Sequence, residues 1–232
     1  MNMKLLITSG GTSEAIDRVR SITNHASGHL GKIIAKEALA RGHQVTLVTS
    51  KSAVKPPQHE RLTIIEITDV ANLQEKLEPL VKSHDSLIHS MAVSDYTPVY
   101  MTDLNDVKQS HDLDEFLEKR NTETKISSKE DVQILFLKKT PKLISLVKQW
   151  NPSIRLVGFK LLVDVSKEEL LSVARESLIK NQADYILAND LTEITGNHHI
   201  GYLVNQSTEI KAQTKEEIAL LLLNKLEEDA YG

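Results

Sequence analysis

Apolar residues occur along this chain in short runs, separated by longer stretches of helical period. The runs at 5–8, 45–48, 62–67, 86–89, 154–159 and 185–188 are four to six residues long, which suits strands buried on both faces. Between the first two, Leu30, Ile34 and Ala38 recur at every fourth position with Ile33 alongside. That spacing predicts a helix over 28–41, ended by Gly42. A second helix is predicted over 70–83 behind Asp69. A third is predicted over 142–149, with Thr140 as its cap and Pro141 in its first turn. Ser166 with Glu169, and Thr214 with Glu217, have the spacing of capping boxes and open two more. Strand–helix alternation on this scale predicts an α/β fold: a Rossmann-like, doubly wound, mostly parallel sheet in a single domain, 1–232.

One region departs from the alternation. Residues 98–124 are polar and weakly periodic, with at most one short helix at 113–119. The following "KISSKEDVQILFLKK" reads as a turn and a strand, packed by Val132, Ile134 and Phe136. The stretch 98–139 is therefore expected to be an excursion from the core, a flap or dimerisation arm. The alternative is a surface insertion without packed structure over 99–121.

The first apolar run stops at Ser9-Gly10-Gly11, and fifteen residues separate Gly11 from the Ser27-Gly28 that opens the next helix. Glycines at a strand end beside a helix N-terminus favour an anion, because free backbone N–H groups and the helix dipole both point at it. The usual fingerprints do not fit. No G-x-G-x-x-G spans the loop, and no G-x-x-x-x-G-K-[ST] occurs in the chain. Gly31 allows close approach of helix and sheet. The loop is long enough to cover a ligand and offer it Arg18, Arg20 and Asn24; alternatively, the arginines pair with Glu14 and Asp17. More polar groups stand at later strand ends: Ser90, Asp95 and Tyr96 in "HSMAVSDYTP", Phe159 and Lys160 in "VGFK", Asn189 and Asp190 in "ILANDL". Doubly wound sheets bind ligands at that carboxyl edge. Turn chemistry is the other account of Asn189-Asp190.

Composition narrows the classes. A net charge of −4 gives no basis for non-specific nucleic-acid or anionic-membrane binding. The absence of cysteine excludes disulfides, a thiolate nucleophile and Cys-ligated metal. No apolar run approaches the roughly 20 residues of a membrane span, and the N-terminus lacks a signal-peptide pattern, so a cytoplasmic protein is expected. His198-His199 has no carboxylate at helical spacing and reads as surface loop, so no metal site built from protein ligands is expected. Trp150 reads as a packing residue.

The segments "TSGGTSEAIDRVRSITNHASGHLG", "MAVSDYTP", "KIS", "VGFK" and "ILANDL" follow one another in an order that resembles the phosphopantothenate–cysteine ligase family, from Lys4 to about Leu226. The first is long and specific. The resemblance implies a ligase of coenzyme A synthesis joining 4′-phosphopantothenate to L-cysteine through an acyl-nucleotide, with CTP or ATP as co-substrate and Mg²⁺ to screen charge. It further implies a homodimer. The chain is similar to the stand-alone form, with no fused decarboxylase and no flavin. By motif position Asn24, Lys125 and Arg20 are the catalytic candidates, with Asn24, Arg20 and Asn189 toward the acyl substrate. Gly10, Gly11, Ser27, Gly28, Ala92, Asp95, Lys125, Pro141, Lys142, Leu143, Ile144, Phe159 and Lys160 match positions around the nucleotide.

Four departures from the common bacterial pattern bear on the nucleotide. Ser127-Ser128 replaces lysines, "GFKLLVD" replaces "GFAAET", Ser177 and Asn181 stand near the family's paired lysines, and 98–124 is long. Lys180 or Lys160 could supply the missing cation. The "FKL" form and the long 98–124 segment are similar to eukaryotic stand-alone enzymes, which use ATP more freely. Two other classes compete: a non-catalytic nucleotide-binding module, and an NAD(P)-dependent Rossmann reductase. The reductase lacks both a glycine fingerprint and a lysine four residues after Tyr96, Tyr100, Tyr185 or Tyr202.

Overall fold

The computed structural model describes residues 2–122, 124–127, 129–196 and 198–231. The chain begins with β1 (Lys4–Ser9), a small ribbon of β2 (Ser13–Ala15) and β3 (Ser21–Thr23), and α1 (His29–Ala40). It continues through β4 (Gln44–Ser50), β5 (Leu62–Ile67), α2 (Val70–Val81) and β6 (Ser86–His89). An outlying region follows: β7 (Tyr96–Asp103), α3 (Leu104–Gln109), α4 (Glu115–Glu118) and β8 (Gln133–Lys139). A 3₁₀ turn (Leu143–Leu146) leads to α5 (Val147–Trp150), β9 (Arg155–Leu162), α6 (Lys167–Asn181) and β10 (Tyr185–Asp190). The minor pair β11 (Ile194–Thr195) and β12 (His198–His199) precedes β13 (Gly201–Val204), β14 (Glu209–Ala212) and α7 (Lys215–Tyr231).

Eight strands form one sheet in the order β14-β13-β10-β9-β6-β1-β4-β5. The six from β10 to β5 run parallel, and β13 and β14 add an antiparallel edge. Strand order reverses at β1, which has β4 on one side and β6 on the other. That junction is where doubly wound sheets leave a crevice. Both faces are covered. Leu5 and Ile7 pack with Ile34 and Leu39 of α1 and Leu222 of α7, while Leu6 packs with Leu73 of α2, Val147 of α5 and Leu170 of α6. Alternate residues of β1 thus serve opposite cores, and both must be apolar. Each such side chain contributes roughly 1.5–3 kcal/mol by leaving water.

Helix starts follow the local chemistry. Asp69 accepts from Asn72 N at 2.8 Å, and Ser166 accepts from Glu169 N at 3.1 Å. Thr214 Oγ1 accepts from Glu217 N, while the Glu217 carboxylate accepts from Gln213 N, one residue ahead of the expected box partner. Trp150 packs against the α2–α5–α6 core.

Several expectations are corrected. The 142–149 helix is a 3₁₀ turn followed by a single α turn. The region 98–124 holds a strand and two helices, where at most one short helix was expected. Its own apolar cluster organises it: buried Phe116 stacks between Tyr100 and Phe136, with centroids 6.0 and 4.8 Å away. The side chain of Asn121 replaces a strand partner for Met101, accepting from its N–H and donating to its carbonyl. His199 is not on a surface loop; it is buried in β12. The edge strands β13 and β14 were not among the expected runs; in β14, Glu209 and Lys211 interrupt the apolar positions.

Candidate active site

The end of β1 is built for close approach. Gly10 has φ +79°, and a Cβ there would lie 2.5 Å from Ser50 Oγ and 2.8 Å from Ala53 Cβ. A Cβ on Gly11 would lie 2.5 Å from the Asn24 carbonyl oxygen. The polar loop therefore folds back onto the strand end. Asn24 N donates to Thr12 O, Thr12 N donates to Ala92 O, and Ala92 N donates to Gly10 O. One amide hydrogen of Asn24 goes to Ala92 O at 3.1 Å. Asn24, Gly10, Gly11 and Ala92 thus meet at the strand-order reversal. Ser27 and Gly28 close the group: Ser27 O accepts from Val54 N, and Gly28, at φ +79°, caps α1.

The arginines divide. Arg20 pairs with Asp17, Nη2 to Oδ2 at 2.7 Å, as one reading of the loop expects. Glu14 is not an arginine partner. It is buried and accepts from Val70 N at the start of α2, where the helix dipole favours a carboxylate. Arg18 is exposed, and its backbone N–H donates to Thr124 O. Lys125, also exposed, follows directly. The segment carrying Lys125 thereby lies on the loop that leads to Asn24. Ser128 is outside the described residues.

A cleft of roughly 280 Å³ opens beside this group, between the ends of β6 and β9. It brings together seven expected residues: Asp95, Pro141, Lys142, Leu143, Ile144, Phe159 and Lys160. Asp95 and Lys142 face each other across its rim at 3.1 Å, both well exposed, so their ion pair adds little stability. Thr140 closes the rim, donating its N–H to Asp95 O and its hydroxyl to Ser94 O. Ser177 and Asn181 of α6 also line the cleft, and Lys180 does not. Of the two lysines considered, Lys160 lines the cleft.

His89 was missed. It ends the apolar run of β6, lines the cleft, and is 7% exposed. Its Nδ1 lies 2.8 Å from Thr8 Oγ1. Burial, then the charge of Lys142, lowers its pKa from 6.5 to about 4, so the ring is neutral near pH 7. A polar residue closing an otherwise apolar strand was the available signal. Asn189, expected toward the acyl substrate, does not line the cleft. It is buried with its amide 3.0 Å from His199 Nε2. Its neighbour Asp190 accepts from Asp164 N, Val165 N and Thr192 N, shaping the turn into α6. Among the described residues no cluster of three His, Asp or Glu side chains could hold a metal ion, and no helix is long and apolar enough to cross a membrane.

Sheet order and cleft define a Rossmann-like α/β protein with its polar groups gathered at the carboxyl edge of a parallel sheet. The chain matches the DNA/pantothenate metabolism flavoprotein C-terminal domain family over residues 1–119 and 114–230, and it belongs to that family. A solved DNA/pantothenate metabolism flavoprotein from Streptococcus pneumoniae is 58% identical, with TM-score 0.94, covering 99% of this chain and 100% of that one. The C-terminal domain of a coenzyme A biosynthesis bifunctional protein CoaBC shares the fold, at TM-score 0.74 and 24% identity over 98% of this chain and 95% of that one. CoaBC of Thermococcus kodakarensis is 33% identical over 228 residues, 97% of this chain and 51% of that protein. The chain thus spans about half the length of the curated relatives it matches.

Proposed function

We propose that this chain is a cytoplasmic phosphopantothenate–cysteine ligase. The carboxylate of 4′-phosphopantothenate attacks the α-phosphorus of CTP or ATP, and pyrophosphate leaves. The amine of L-cysteine then attacks the acyl carbon of the mixed anhydride, loses a proton, and the nucleoside monophosphate departs with the anhydride oxygen. The observation that carries this reading is the bond from the Asn24 amide to Ala92 O, between Met91 and Val93 of the cleft that also holds Asp95, Lys142, Phe159 and Lys160, in a chain that matches the family along its length.

The assignments follow from charge and placement. Asn24 offers its remaining amide hydrogen to the acyl or phosphate oxygens without adding charge. Lys142 and Lys160 face the phosphates, joined by Lys125 when its segment closes, and stabilise charge on the departing pyrophosphate. Phe159 flanks the base, and Asp95 takes a ribose hydroxyl. The single carboxylate at the cleft fits Mg²⁺ that arrives on the nucleotide, held by phosphate oxygens and water rather than by a protein cage. The Mg²⁺ would screen the two approaching anions. A homodimer built through the arm would cover its exposed Tyr96 and Leu137, which are 53% and 41% exposed.

Pyrophosphate release with CTP, ATP, GTP and UTP, each with and without phosphopantothenate and cysteine, tests the reading. Release is expected to require phosphopantothenate. Nucleotide binding without release would favour a sensing module, and oxidation of NAD(P)H would favour a reductase.

A further inference from the structure

The fourteen residues 119–132 join α4 to β8 and carry Lys125. Such a tether would leave Lys125 a wide volume to explore. Beyond the Asn121–Met101 bonds, it is fastened near its middle to the N-terminal loop. Ile126 N donates to Asp17 Oδ2 at 3.1 Å, Arg20 Nη2 donates to Ile126 O at 3.0 Å, and Arg18 N donates to Thr124 O at 3.2 Å. The Ile126 side chain is 7% exposed and adds an apolar anchor. Lys125 stands between these fixed points with its own side chain exposed.

Asp17 is the centre of the fastening. Its side chain is 1% exposed. Oδ1 accepts from Val19 N and Arg20 N, both at 2.8 Å, which shapes the turn. Oδ2 accepts from Arg20 Nη2 and Nε and from Ile126 N. One carboxylate therefore orients the Arg20 guanidinium, and Arg20 in turn holds the Ile126 carbonyl. Charge-assisted bonds of this kind are about twice as strong as neutral ones. The Arg20 pairing and these backbone donors hold the Asp17 carboxyl far below the usual carboxylate range.

We propose that Asp17 is a positioning residue that latches the Lys125 segment to the Arg20 loop, so that Lys125 and Arg20 reach the acyl-nucleotide as one cationic unit. This rests on the ligase reading above. It predicts that Asp17 matters for turnover through Lys125, without touching substrate itself.

A double-mutant cycle with Asp17→Asn and Lys125→Ala, read by pyrophosphate release, tests the coupling. Asp17→Asn alone should lower kcat by roughly ten- to hundred-fold, with nucleotide KM within about three-fold. In the Lys125→Ala background it should cost less than about three-fold more. A purely architectural Asp17 would give additive losses, and that result overturns the proposal. Amide exchange in the unaltered protein, without added ligand, is the second measurement. The Ile126 amide should exchange at least about ten-fold more slowly than the Lys125 amide. Equal rates overturn the latch even where Asp17→Asn fails to fold. If the unaltered protein releases no pyrophosphate with any nucleotide, the ligase reading falls, and the exchange measurement still decides the latch.

Discussion

Thr8 on β1 and His89 on β6 are register partners across the strand-order reversal, with Oγ1 and Nδ1 2.8 Å apart. The imidazole is enclosed there and neutral, its pKa lowered from 6.5 to about 4. The unfolded chain would take up a proton below pH 6.5 that the folded chain refuses until about pH 4. Stability therefore rises with pH through that window and is fully present above it. The difference is on the order of 3 kcal/mol. Urea titrations at pH 4.5 and 7.5 should show a smaller pH difference in His89→Asn than in the unaltered protein. An unchanged difference would mean that His89 titrates normally.

Asn24→Ala should separate activation from transfer. The loop keeps its backbone bonds to Thr12, so the nucleotide side of the site should persist. Loss of one preorganised donor should cost roughly a hundred-fold in kcat. Rapid quenching without cysteine should still trap acyl-nucleotide. Full activity in this variant would remove Asn24 from the mechanism.

Lys160→Ala addresses the phosphate contact proposed for Lys160. Ser177 and Asn181 bring no charge to the cleft, and Lys142 is shared with Asp95. Removing Lys160 should raise nucleotide KM by about ten-fold, the loss of one charge-assisted contact. An unchanged KM would place the phosphates elsewhere.

Phe116→Ala should unfasten the arm alone. Phe116 is buried between Tyr100 and Phe136, apart from the two cores that flank the sheet. A loss of about 3–5 kcal/mol should fall on the arm. Amide exchange should accelerate in β7 and β8 and stay slow in β1. Equal acceleration in β1 would show that the arm and sheet unfold together.

The parallel core was legible because its strands are apolar on both faces, and such runs stand out from amphipathic helices. The cleft was legible through strand-end residues such as Asp95 and Phe159. The arm was not. Tyr100, Phe116 and Phe136 are spread over 37 positions of polar sequence, and three aromatics at such separation make no periodic signal. His89 was hidden as the terminal residue of an apolar run. The bond between Asn189 and His199 was not legible, because the two stand ten positions apart on different strands.

The arm's first strand begins immediately after Asp95 and its second ends immediately before Thr140, so the two strands grow out of the cleft's opposite lips. The Thr140–Asp95 bond ties those two roots together. The base of the hairpin is thereby part of the cleft's rim, and a substitution that loosens this base should also loosen the hold on whatever sits between the lips.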